Sequence, residues 1–163
     1  MCAVGGNVRL RHYHVSDCAE MMQLFYDTVH TVNAADYQDA QLDAWAPADT
    51  DAAAWHERFL RDDTIIAEVG GVIAGFGTRK GRGEFDLLYV HKAHQRKGIA
   101  AKIANETESR ARADGCTTVM VDASITAKPF FESRGYIVRQ RQEVALRGQV
   151  LTNYRMIKYF TDQ

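Results

Sequence analysis

The chain has little of what would make it a secreted, membrane-bound or nucleic-acid-binding protein. Its three cysteines, Cys2, Cys18 and Cys116, are an odd number without metal-ligand or redox spacing, so a disulfide framework is not expected. Free thiols fit a cytoplasmic setting. The two prolines rule out a proline-rich linker or collagen-like repeat. No apolar run is long enough to cross a bilayer, and Met1 to Asn7 lacks the basic and apolar regions of a signal peptide. A net charge of −1 disfavours a nucleic-acid partner held by bulk electrostatics. What remains is a chain of 163 residues, 46% hydrophobic, that suits one globular domain over 1–163 with its own core.

Alternation predicts a first strand over Val8 to His12. Ser16 is the expected N-cap of a helix with apolar Met21, Met22, Leu24, Phe25, Val29 and Val32, ending near Asn33. A short helix over about Gln38 to Trp45 must stop before Pro47. Asp49 or Thr50 should cap a third, with Trp55, Phe59 and Leu60 on its apolar face. A meander follows: Thr64 to Val69, a Gly70-Gly71 turn, Val72 to Thr78, a turn at Gly81-Arg82-Gly83, and Glu84 to Val90. A helix then runs from Gly98 to about Asp114 and closes at Gly115. Thr117 to Asp122 reads as a strand, and Thr126 as the cap of a helix with Pro129 in its first turn. Strands Tyr136 to Ala145 and Val150 to Tyr159 close the chain around Arg147-Gly148. Strands first antiparallel, then joined through helices, make an α+β fold with a mixed sheet, and a site is expected where two crossover-linked strands diverge. The free edge of the last hairpin is compatible with a homodimer.

The stretch that carries chemistry is Gln95-Arg96-Lys97-Gly98-Ile99-Ala100, where an apolar strand ends in a basic loop and enters a helix at glycine. A helix start offers unpaired N–H groups and partial positive charge, and glycine admits close approach, so the turn suits phosphate. It lacks the lysine and hydroxyl residue of a nucleotide P-loop and the three glycines of a dinucleotide fingerprint. His91 and His94, like His12 and His14, have no third ligand nearby, so no metal site is expected. Cys116 has no His–Asp partner pattern and reads as a packed thiol.

This turn resembles the Gln/Arg-x-x-Gly-x-Gly/Ala signature of the GNAT acyltransferases. The likeness extends to Phe25 to Asn33, Ala44-Trp45-Ala46-Pro47, Ala123 to Gly135 and Thr152 to Met156, which look like a YafP-like bacterial branch of that family. The resemblance implies the GNAT fold, a mostly antiparallel sheet with flanking helices and a splayed strand pair. It also implies direct acetyl transfer from acetyl-CoA, as co-substrate, to a small-molecule or peptide amine. By the same likeness the backbone of Leu88, Tyr89 and Val90 would pair with the pantetheine arm. Gln95, Arg96, Lys97, Gly98, Ile99, Ala100 and Ala101 would lie around the pyrophosphate, and Ser124 stands where many relatives carry an asparagine.

The reaction needs a base near the central strand. Glu84 lies eleven residues before Gln95, close to the spacing at which histone-acetylating relatives place a catalytic glutamate, and Asp86 follows on the same strand. Phe131 occupies the place of the tyrosine that protonates the leaving thiolate in many relatives. Either Tyr154 or Tyr26 replaces it, or the thiolate leaves to solvent, which a thiol pKa of about 8.5 permits. His30, Asn33, Tyr37 and Trp45, polar and aromatic residues where the first helices break and restart, are the expected acceptor wall. Phe131 also motivates the rival reading, a CoA-binding module of the same fold without catalysis.

Overall fold

The computed structural model describes residues 7–161. In chain order it contains β1 (Val8–His12), α1 (Cys18–Thr31), α2 (Asp39–Trp45), α3 (Ala52–Arg61), β2 (Asp63–Val69), β3 (Val72–Lys80) and β4 (Glu84–Val90). Then come α4 (Ile99–Ala113), β5 (Thr118–Ser124), α5 (Lys128–Ser133), β6 (Ile137–Leu146) and β7 (Gln149–Tyr159). The strands form one seven-stranded sheet in the order β1-β2-β3-β4-β5-β7-β6. Every neighbouring pair is antiparallel except β4 and β5, which α4 joins as parallel strands. No helix among the described residues is long and apolar enough to cross a membrane.

Two apolar layers cover the sheet. On one face α1 and α3 bury Met21, Leu24, Phe25, Val29 and Phe59 against Ile66, Phe76 and Tyr89, and α2 adds Leu42. On the other, α4 and α5 bury Ile99, Ile103, Ala104 and Phe131 against Phe85, Val119, Val121 and Met156. Helix α4 packs close to β3: a Cβ on Gly77 would meet Ile103 Cγ2 at 2.6 Å. The buried Glu108 of α4 accepts bonds from Tyr136 (2.9 Å) and Lys158 (2.8 Å) and pairs with Arg134 (3.1 Å), locking the helix to the C-terminal strands.

Element boundaries follow the pattern of apolar residues closely, but three caps differ from expectation. Ser16 lies in a 3-10 turn (Val15–Asp17) that precedes α1. Asp17 takes the position before the helix because its carboxylate binds the His14 N–H (2.8 Å) and both terminal nitrogens of Arg11 (2.8 and 2.9 Å), which hold its pKa below the usual range. Helix α3 is capped by Asp51, not Asp49 or Thr50, through the N–H groups of Ala53 and Ala54. Leu60 on that helix points to solvent, 63% exposed. Thr126 caps nothing: its hydroxyl donates to Asp36 (2.8 Å), and Ser124 Oγ accepts the Ala127 N–H before α5 instead. Cys18 is buried and free, Cys116 is half-buried and free, and Cys2 lies outside the described residues.

Candidate active site

The site begins with a defect in the sheet. Thr78 pairs with Leu87 but Arg79 pairs with Phe85, so β4 carries one extra residue, Asp86, against β3. A bulge bends a strand and raises its twist. The β4–β5 ladder accordingly has only two rungs, Glu84–Met120 and Phe85–Val121, and the strands part beyond them. Helix α4 then starts above the opening.

The phase of the β3–β4 ladder decides which backbone groups face this gap. The His91 N–H is bonded to Ala74 O (2.7 Å), so alternation commits Tyr89 to β3 and turns the amide groups of Leu88 and Val90 toward β5. The Val90 carbonyl is occupied by Gln95 Nε2 (2.6 Å) and Thr28 Oγ1 (3.0 Å). Its N–H is left facing the gap.

The gap and the space beyond it form one cavity of about 670 Å³. One end is bounded by Leu88, Val90, Gln95, Arg96, Gly98 to Ala101, Ser124 and Phe131. Here Arg96 (φ 60°) and Gly98 (φ 79°) both adopt left-handed backbone, which turns successive N–H groups inward. Helix α4 has no side-chain cap, so its first N–H groups remain available. His94 shares this wall, and partial burial together with Lys97 and His91 lowers its pKa. The other end is bounded by Thr28, Val32, Asn33, Trp45, Asp86 and Asp122. Asp86 is held by Arg58 of α3 at 2.7 Å, and Arg58 lies over the Trp55 ring at 5.1 Å. Asp122 is held by both Nε and Nη2 of Arg155 (2.9 and 3.0 Å). Trp45 donates its indole N–H to Tyr89 Oη (3.1 Å), and burial pushes the pKa of that phenol up.

The structure therefore gathers Asp86, Leu88, Tyr89, Val90, Gln95, Arg96, Gly98, Ile99, Ala100, Ala101, Ser124, Phe131, Asn33 and Trp45 on one cavity, and leaves five expected residues off its wall. Glu84 sits on the first of the two rungs of the β4–β5 ladder, one rung before the strands part. Lys97 projects into solvent beside the loop. Tyr154 packs its ring under Lys128 Nζ at 5.0 Å. His30 stacks on Tyr26 (4.2 Å) and bonds the Ala46 carbonyl (2.8 Å), closing the α1–α2 corner. Tyr37 is a structural tie: its hydroxyl donates to Thr152 O (2.6 Å) and accepts from the Ile125 N–H (2.9 Å), joining three segments. Gln95 lines the cavity, and its Nε2 donates to the Val90 carbonyl. Sequence reasoning missed Thr28, Asp122 and the propping Arg58 and Arg155. No local sequence signal marked Asp122, because the point where the β4–β5 ladder ends is fixed by strand pairing.

Comparison with known proteins agrees with this geometry. Residues 33–158 match the acetyltransferase (GNAT) domain family. The chain is 30% identical over 153 residues to YafP of Escherichia coli K12, an uncharacterized N-acetyltransferase, covering 92% of this chain and 95% of the relative. A GCN5-related N-acetyltransferase from Rhodopseudomonas palustris superposes with a TM-score of 0.93 at 34% identity, over 98% of this chain and all of that one. The PaiA N-acetyltransferase of Thermoplasma acidophilum, solved with coenzyme A, shares the fold at a TM-score of 0.78 and 14% identity, over 94% and 99% of the two chains. A parallel strand pair splayed by a bulge, beneath an uncapped helix start, is thus set within a sequence that belongs to the GNAT acetyltransferase family.

Proposed function

We propose that this protein is an acetyl-CoA-dependent N-acetyltransferase that passes the acetyl group directly to an amine held in the same cavity. The observation that carries the reading is the wedge between β4 and β5, open at one end to the uncapped N–H groups of α4 and at the other to Asp86. The pyrophosphate of CoA suits the loop from Arg96 to Ala101, where inward N–H groups, helix dipole and the Arg96 charge all favour an anion. The pantetheine arm supplies amide groups that can pair with the free backbone groups of Leu88 in place of the missing β5 rungs. An acceptor approaching from the Asn33–Trp45 end meets the thioester where the Val90 N–H can polarise its carbonyl.

Asp86, the bulged residue, is the carboxylate best placed to hold the amine and to take the proton the nitrogen sheds. The nitrogen forms a bond to the acetyl carbon, the carbon–sulfur bond breaks, and CoA leaves as a thiolate that solvent protonates. Phe131 plays no part in that transfer; it is 2% exposed and packs edge-on against Phe85 and Tyr136. Glu84 is assigned no direct role in it. The likeness to YafP over almost the whole chain supports transfer over a binding-only module.

Two measurements test the proposal. Calorimetry with acetyl-CoA should give saturable heat, and its absence at millimolar concentration overturns the reading. Thiol release from acetyl-CoA should depend on added amine across a panel of small amines and peptides. Binding without amine-dependent release points to the module instead.

A further inference from the structure

Of the buried polar side chains on the cavity wall, Thr28 is engaged and Asn33 is not. Thr28 and Gln95 bond the Val90 carbonyl, Trp45 bonds Tyr89, and Asp86 holds Arg58. Asn33 is only 6% exposed and lines the same cavity, yet its side-chain amide has no hydrogen-bond partner among the described residues. The amide is not sealed from solvent but opens on the cavity, where an oxygen of a bound ligand can take the place of water as its partner. Its place is set by the chain: α1 ends at Thr31 and Asn33 opens a 3-10 turn whose backbone carbonyl is already taken by the Asp36 N–H (3.0 Å).

The surroundings narrow what it takes. Asp86 supplies negative oxygen for an amine, so the Asn33 N–H donors are free for an oxygen. Val32, Trp45 and Leu87 give the same end apolar walls, while the basic lining residues, His94 and Arg96, belong to the loop before α4. We infer that Asn33 sets acceptor specificity: its amide binds an oxygen carried close to the reacting amine, as in an α-amino acid or its amide, with an apolar side group against Val32 and Trp45. This rests on the acetyltransferase reading above.

Three acceptors of one skeleton test it: L-leucine, L-leucinamide and 3-methylbutan-1-amine, which carry a carboxylate, a carboxamide and neither. With wild-type enzyme, kcat/KM for the two oxygen-bearing amines should exceed that for the bare amine by about tenfold or more, since a site built for a hydrogen bond rejects the analogue lacking it. In Asn33→Leu, which keeps the branched shape and removes the donors, that ratio should fall to within about twofold, mostly through KM. Asn33→Asp should penalise leucine against leucinamide by about tenfold, through charge repulsion. Thermal midpoints of the variants control for folding, and Asn33→Leu should match or exceed wild type because no protein hydrogen bond is lost. A wild-type preference for the bare amine overturns the acceptor class. An unchanged ratio in Asn33→Leu overturns the role of Asn33. Acetyl-CoA binding with no thiol release from any amine overturns the transferase reading beneath both.

Discussion

The two ends of the cavity are built from different materials. The end beneath α4 is mostly backbone from one continuous stretch, β4 through the first turn of α4. Its binding groups are N–H bonds aimed by left-handed residues and by the phase of a ladder. The opposite end is made of side chains from α1, α2, β4 and β5, propped from behind by Arg58 and Arg155. A backbone cradle binds any molecule carrying its anion and tolerates most side-chain changes. A side-chain pocket can be retuned one residue at a time, and it fails one residue at a time as well.

The sharpest way to break this contrast is Asp86→Asn. Removing a general base costs on the order of a hundredfold or more, and here it also strands Arg58. We expect kcat/KM for the amine to fall by about that factor with acetyl-CoA affinity unchanged, as steady-state kinetics and calorimetry would show. Glu84→Gln, on the closed rung, should change kcat/KM by less than about threefold. If Glu84→Gln were the crippling change, the base would lie on the wrong side of the last rung and the site would need redrawing.

The same contrast explains what could be read from the sequence. The backbone end was legible because its determinants are local: an apolar strand, a basic loop, glycine at 98 and a helical pattern follow one another within about twenty residues. The mixed sheet and the splayed pair followed from element succession and the family likeness, whereas the insertion of β7 between β5 and β6 did not. The side-chain end was only partly legible. Glu84 and Asp86 look equivalent in sequence, and only the bulge, a property of pairing with β3, sends one to the cavity and closes the other in. Tyr37 and Trp45 have the same polar-aromatic character. One ties Thr152 to Ile125 and the other lines the pocket, a distinction set by residues 44 to 115 positions away.

The backbone end is best tested at Gly98. A β-branched residue at φ 79° is strained, and relief would rotate the first N–H groups of α4 away from the cavity. Gly98→Val should weaken acetyl-CoA binding about tenfold by calorimetry while leaving the order of preference among amines intact. A change within threefold would mean that Arg96 and its neighbours hold the pyrophosphate without the helix.

A smaller effect should appear as pH dependence at His94. Partial burial, Lys97 and His91 favour its neutral form, so the unfolded chain protonates first, near the usual histidine value of about 6.5. The contribution of His94 to stability is therefore full above that pH and declines as pH falls below it. A bound pyrophosphate reverses the preference, since an anion raises the pKa of a nearby imidazole. Lowering pH from 7.5 to 5.5 should thus favour CoA binding severalfold more in wild type than in His94→Gln. Identical profiles would place His94 outside the reach of the phosphates.

The smallest effect concerns the leaving group. Phe131 lines the cavity from within a cluster of Phe85, Phe130 and Tyr136, with ring centroids 5.0 to 5.7 Å apart. Phe131→Tyr would add a hydroxyl at the ring edge, where many relatives of this family carry their acid. A thiolate with a pKa of about 8.5 is already a competent leaving group, so protonating it removes little of the barrier. We expect kcat to rise by less than about threefold at pH 7, and not at all above pH 9, where the thiolate is the stable form. A tenfold gain at pH 7 would show that departure of CoA, not attack by the amine, limits turnover. The backbone end of the cavity would then carry a catalytic deficit that the contrast between the two ends assigns to neither.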